Sequence, residues 1–315
     1  MKIAKPFRNT FMCLFFIFFL IIPVLMIAGD QQPKRVIYET NMCLAVDDVG
    51  GLAILHALQN RGEAELLAVG LNEVHPDGVA AIDAINTWYG RGNIPVGVYR
   101  GPFPDPDTSA YLHDLTTFPH DLTDENAPSA LEVYREVLAR QPNHSVTIIS
   151  VGFMNNLDVL LREEPKLVAK KVRELVIMGA HNGDDHNLGF HNTAAAAQNV
   201  LENWPSPLVF HHLGGDVITG LGLKDTPVEN PVREAYYQYA GAKFQGLASH
   251  DQITALYGVR GACNFFSKTS SGTGSLPGGF SWEMQTRGDA VLQYLLPAEA
   301  YAAIIEDLML EAPEK

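Results

Sequence analysis

Cysteine and positive charge are what this sequence has least of. Three cysteines in 315 residues are too few for a disulfide scaffold. Cys13 lies in an N-terminal apolar run, which leaves Cys43 and Cys263 either as one pair or as two separate thiols. Lysine and arginine number 22 against 36 aspartates and glutamates, a formal charge of −14. A nonspecific nucleic-acid binder needs cations to displace phosphate counterions, so the charge balance argues against nucleic acid as a partner. The three tryptophans, Trp88, Trp204 and Trp282, are too scattered for a stacking platform along a strand of bases.

Several catalytic signatures are missing as well. No Gly-x-Gly-x-x-Gly follows the first strand-like run, which removes the main signal for a nicotinamide dehydrogenase. The stretch Ser270 to Gly279 is glycine-rich but has neither the lysine nor the preceding strand of a phosphate-cradling loop. No Gly-x-Ser-x-Gly is present, so a serine hydrolase of that type is unsupported. His181, His186, His191, His211 and His212 fit no zinc spacing. There is no internal repeat and no low-complexity tract.

What is present is the composition of a folded globular chain, 47% hydrophobic and 18% charged. Lys2, Lys5 and Arg8 precede an apolar run from Phe11 to Ile27, followed by Ala28 and Gly29. Charge, apolar run and small residues in that order make residues 1–29 an export signal peptide, or a short membrane anchor if it is retained. The expected location is therefore outside the cytoplasm, periplasmic or secreted, with 30–315 as a single domain. Loss of the leader takes the net charge to −17 by removing its three cations.

Short runs rich in valine, isoleucine and leucine alternate with helical patterns along the rest of the chain. The strand candidates are Val36 to Thr40, Leu66 to Val69, Ile94 to Val98, Val146 to Val151, Leu175 to Met178 and Leu208 to Phe210. The helix candidates are Asp48 to Gln59, Val79 to Tyr89, Leu131 to Arg140, Leu157 to Leu161 and Thr193 to Asn203. This alternation predicts an α/β fold: an open, mostly parallel, Rossmann-like sheet with helices on both faces. Gly101 to Pro128 and Ser267 to Gly279 read as surface loops.

Ligands in such sheets bind beyond the carboxyl ends of the strands, and polar residues collect there. Glu39, Asn41, Asp47 and Asp48 follow the first strand, Asn72 the second, Asn155 and Asn156 the fourth, Asp185 and Asn187 the fifth. The segment Glu39 to Asp48 places three acids and an amide in one loop. Such a set is either an oxygen-rich site for a hard cation or an acidic helix cap in water. Farther along, His250-Asp251 opens another helical pattern.

On these residues the chain resembles the inosine-uridine preferring nucleoside hydrolase family, whose first strand ends in an Asp-Thr-Asp, spacer, Asp-Asp motif. The resemblance covers roughly Val36 to Met309. It implies calcium as cofactor, with Asn41, Asp48 and Asp251 as ligands and Asn155 offering its backbone carbonyl from the turn Gly152-Phe153-Met154-Asn155-Asn156. It implies Asp47, Asn72, Asp185 and Asn187 as binders of the sugar, and His250 as the histidine that assists the departing base. The implied reaction is hydrolysis of a small nucleoside or riboside, in a chain that is a homo-oligomer candidate. Breaking an N-glycosidic bond through an oxocarbenium-like state benefits from anions near the sugar and a proton donor near the base.

The departures from the family pattern bear on activity. Asn41 stands where the family has an aspartate that binds calcium and serves as the base, and an amide oxygen coordinates but does not take a proton. Glu39 replaces the first aspartate of the motif with a longer side chain, Ala45 fills a spacer position, and His191 replaces the aspartate of an Asp-Pro pair. Asp47 or Asp48 is the candidate substitute base, with Asp47 taken as the catalytic carboxylate. The alternative reading is a ribose- or nucleoside-binding protein on the same fold that lost turnover.

Overall fold

The computed structural model describes residues 32–104, 106–179, 186–189, 193–270, 273–276, 280–283 and 288–314. The chain begins β1 (Lys34–Thr40), α1 (Asp47–Asn60), β2 (Ala64–Leu71), α2 (Gly78–Trp88) and β3 (Val96–Val98). It continues α3 (Tyr111–Leu115), α4 (Ala130–Arg140), β4 (Val146–Ser150), α5 (Asn155–Glu163), α6 (Pro165–Lys171) and β5 (Val172–Met178). Then come α7 (His186–Gly189), α8 (Ala194–Asn203), β6 (Leu208–His211), β7 (Ile218–Thr219), α9 (Pro231–Tyr239) and β8 (Leu247–Ala248). The last elements are α10 (His250–Arg260), β9 (Phe266–Thr269), β10 (Thr273–Leu276), β11 (Phe280–Glu283), β12 (Ala290–Tyr294) and α11 (Ala298–Met309).

Eight strands form one sheet in the order β3-β2-β1-β4-β5-β6-β12-β9. Every pairing in it is parallel except β12 with β9. Alternate side chains of β1 divide the core, as a strand buried on both faces requires. Val36 and Tyr38 pack with Leu52 of α1, Ile82 of α2, Ile253 of α10 and Ile305 of α11. Ile37 points the other way, into a second cluster with Tyr134 of α4, Leu157 of α5, Val168 of α6 and Val200 of α8. The α/β fold expected from the strand–helix alternation is thus what the chain adopts.

Two expected surface loops hold more structure than their composition suggests. Gly101 to Pro128 contains α3, whose Tyr111, Leu112 and Leu115 are buried. Ser267 to Gly279 contains most of β9 and all of β10, which pairs antiparallel with β11. In the first, the small and polar residues that mark a turn outnumber the few apolar positions that tertiary packing recruits. Cys43 is buried and Cys263 exposed, each a free thiol. The leader lies outside the described residues.

The strand order reverses at β1, which pairs with β2 on one side and β4 on the other. At such a switch point the following loops diverge and leave a crevice. A close helix contact narrows its floor. A Cβ on Gly50 would collide with the Gln252 amide and the Tyr236 hydroxyl, and one on Gly51 with the Tyr38 hydroxyl. The two glycines therefore let the first turn of α1 lie directly on α10.

Candidate functional site

Beyond the ends of β1, β4 and β6 lies a cavity of about 300 Å³. Asp47 and Asp48 enter it from the first turn of α1, Asp251 and His250 from the first turn of α10, and Asn41 from the loop between β1 and α1. The sequence places these helix starts far apart in the chain; the Gly50-Gly51 contact brings them together. One oxygen from each of Asp47, Asp48 and Asp251 lies within 4.8 Å of the others, and all three residues are buried. No lysine or arginine is among the described residues that line the cavity.

The three carboxyls are treated differently by their surroundings. Asp47 accepts backbone N–H groups at the start of α10, from His250 and Asp251. Asp48 Oδ1 accepts from the Thr40 hydroxyl and, at 3.2 Å, from the Met42 amide. The Asn41 side chain completes this enclosure: with its amide nitrogen turned toward Asp48 it donates to the two carboxylate oxygens at 3.0 and 3.2 Å. Asp251 Oδ1 is buried with no hydrogen-bond partner among the described residues.

Burial raises all three carboxyls above the usual range, and repulsion adds to it at Asp48 and Asp251. Desolvation first and then the neighbouring Asp47 charge push Asp48 up to about 8. Asp251 is pushed well up by burial and by both neighbours. Asp47 is raised by burial, while His250 works in the opposite direction. Converging buried anions with an orphaned oxygen and no cationic side chain form the hard-oxygen donor set that suits a divalent cation. By that chemistry the residues present fit calcium.

His250 is oriented by the main chain. Its Nδ1 lies 2.8 Å from the Leu213 carbonyl. A carbonyl only accepts, so Nδ1 carries a proton there and Nε2 is left for a ligand. Asn187 also lines the cavity and donates to the Val151 carbonyl at 2.8 Å, which ties α7 to the end of β4. Asp185 and His191 lie outside the described residues.

The side chains of Asn72 and Asn155 are engaged with the protein and are not among those that line the cavity. Asn72 is fully buried; its amide nitrogen donates to Glu39 at 2.8 Å and its oxygen accepts from the Phe153 backbone at 2.9 Å. With both ends of its amide engaged inside the protein, it acts as a brace between β1 and the turn after β4. The Asn155 side chain donates to the Asn72 carbonyl at 2.8 Å, which holds the first residue of α5 against the end of β2.

Sequence reasoning did not find the hub of this brace. Glu39 accepts from the Tyr134 hydroxyl of α4, from Asn72 and, at 3.4 Å, from Asn156. Burial pushes its carboxyl up to about 7 while those three donors pull it down. The extra methylene of a glutamate lets one strand-end carboxylate reach α4, but nothing near Tyr134 in the chain marks it as the partner. Of the paired histidines, His211 is fully buried, bonded at 2.8 Å to Thr254, and pushed down to about 3 by desolvation. His212 lines the cavity. Alternation at the end of β6 is the signal that separates the two.

A family model described as inosine-uridine preferring nucleoside hydrolase matches residues 36–293. No curated protein matches the chain. Among solved structures, the chain is similar to an inosine-uridine preferring nucleoside hydrolase from Bacillus anthracis, with 17% identity, a TM-score of 0.67, and coverage of 88% of this chain and 99% of that one. It is also similar to the type III effector protein XopQ complexed with adenosine diphosphate ribose, at 16% identity and TM-score 0.67, covering 90% and 95% of the two chains. A purine-preferring ribonucleoside hydrolase from Gardnerella vaginalis shares 17% identity at TM-score 0.60, over 88% and 99%. At these identities the structural likeness is one of fold.

Proposed function

The chain belongs to the inosine-uridine preferring nucleoside hydrolase family, and from that premise we propose that it hydrolyses the N-glycosidic bond of a ribonucleoside or related N-riboside, releasing base and ribose. The observation that carries this reading is the convergence of Asp47, Asp48 and Asp251 beside His250 in one cavity. Calcium is the proposed cofactor, held by Asp48 and Asp251 with Asn41 and the Asn155 carbonyl as further ligands. When bound, it supplies positive charge that acidifies water and orients vicinal sugar hydroxyls.

The chain's own residues do the rest. Asp48 Oδ1 is enclosed by Thr40, Met42 and Asn41, so Asp47 is the carboxylate assigned to take the proton of the attacking water. Asp47 and Asn187 bind the sugar hydroxyls, and Asp185, two residues before Asn187 in the sequence, is proposed to join them. The anionic floor stabilises positive charge that develops on the ribose as the bond to the base stretches. His250, fixed through Nδ1 by Leu213, meets the departing base with Nε2 and, with both ring nitrogens protonated, gives the Nε2 proton to it. Export by the N-terminal leader, or anchoring if the leader is retained, is part of the proposal, as is self-association into a homo-oligomer.

One observation favours a second reading, a ribose- or nucleoside-binding protein with little turnover. Asn41 gives Asp48 two hydrogen bonds and offers no base. The test is to follow free ribose from inosine and from uridine with the mature protein, in calcium and in chelator. Release in calcium that stops with chelator and with Asp48→Ala is the expected result. Binding of ribose by calorimetry without any release would replace hydrolysis with the second reading.

A further inference from the structure

We infer that Tyr111 is a positioning residue for the cation site, a clamp that holds the loop between β1 and α1 from outside and so sets where Asn41, Asp47 and Asp48 meet; the inference rests on the calcium reading above. The loop leaves β1 at Thr40 and enters α1 at Asp47. It carries Asn41 at one end and leads into Asp47 and Asp48 at the other, and its Leu44 and Ala45 line the cavity between them.

The base of this arc is held by burial and its crest is not. Met42, Cys43 and Val46 are buried, whereas Leu44 and Ala45 are half-buried. Met42 has a φ of +36°, a left-handed conformation that a residue with a side chain seldom adopts. The Met42 amide there donates to the Thr40 hydroxyl at 3.0 Å and to Asp48 Oδ1 at 3.2 Å. Such a conformation persists only where the surroundings over-determine it. The crest therefore needs a restraint that burial does not give.

Tyr111 supplies it. Its hydroxyl lies 2.7 Å from the Cys43 carbonyl and 3.1 Å from the Ala45 carbonyl. Both carbonyls only accept, so one proton is shared between them in a three-centre bond. That bond fixes the peptide planes on either side of the Leu44–Ala45 link and keeps both oxygens aimed at α3. Among the described residues no other side chain donates to a carbonyl between Asn41 and Ala45. The clamp is itself anchored. Leu112 and Leu115 of α3 are fully buried, and the Tyr239 ring of α9 meets the Tyr111 ring edge-on, with centroids 5.4 Å apart. The segment from Gly101 to Pro128 thus contributes one hydroxyl to the site although none of its described residues lines the cavity.

The test is calorimetry of calcium with the wild-type protein, Tyr111→Phe and Tyr134→Phe, with urea unfolding of each in chelator to compare their stabilities. Both variants keep the ring and lose one buried hydroxyl, and they belong to the core clusters on opposite faces of the sheet. Tyr111→Phe is expected to lower calcium affinity about tenfold, the scale on which groups behind a ligand act, while Tyr134→Phe stays within about threefold of wild type. Unchanged calcium affinity in Tyr111→Phe overturns the inference, whatever the change in stability, and marks a merely structural hydroxyl. An equal loss of affinity in both variants overturns it as well, since the effect then follows general loosening. Wild-type protein that binds no calcium overturns the calcium reading itself, and this inference with it.

Discussion

The buried carboxyls at and beyond the end of β1 are handled in opposite ways. Glu39 closes β1 with three donors around it, from Tyr134, Asn72 and Asn156. Asp47 and Asp48, a few residues later, crowd together with Asp251 of α10, and one oxygen is left without a partner. A buried polar group that is fully paired holds elements in register; one left short is costly unless something outside the chain completes it. The comparison separates a brace from a binding site although both are acidic, buried and at strand or helix ends.

The largest effect that tests this contrast is expected from Asp251→Ala. Removing a proposed ligand should lower calcium affinity by more than the roughly 100-fold that loss of a supporting residue costs, as read by calorimetry. An affinity within about threefold of wild type would mean that Asp251 belongs with the brace. Asn41→Asp should act in the other direction. It replaces a donor to Asp48 with a fourth anion, so calcium affinity should rise by about tenfold, about 1.4 kcal/mol, while the cation-free protein melts at a lower temperature. An unchanged affinity would remove Asn41 from the ligand set.

The smallest effect is expected on the braced side. Tyr134→Phe takes one donor from Glu39 and should cost about 1–3 kcal/mol in urea unfolding, with calcium affinity nearly unaltered. Its pH dependence has a defined sign. The folded carboxyl of Glu39 is raised to about 7 from 4.5, so its favourable contribution is complete below about 4.5 and is lost as pH rises through 7. A Phe at 134 raises the carboxyl further, and the penalty should be larger at pH 8.5 than at pH 5.5. Equal penalties at both pH values would mean that the hydroxyl does not compensate an ionised Glu39.

The fold was legible where one element's pattern is local. β1, β4 and α2 declare themselves by apolar runs and helical spacing, and the observed bounds differ from the expected ones by a residue or two. α3 and the β10–β11 hairpin were not legible, because proline in one and glycine with serine in the other dominate the local signal. In the site, Asp47, Asp48, His250 and Asp251 stood out as acids and imidazole at helix starts. The brace did not: Glu39 and Tyr134 are 95 residues apart, and such a pairing is a property of the packed sheet and α4 rather than of either segment. His212 could be told from His211 only once β6 had a defined last residue.

The seat that Gly50 and Gly51 make for α10 also orders events during synthesis. Asp47 and Asp48 are made early and Asp251 late, so a growing chain holds the first two without the helix start whose amides receive Asp47. Contacts of such wide sequence separation form slowly, after a costly loop closure. The acidic mouth is therefore assembled near the end of translation.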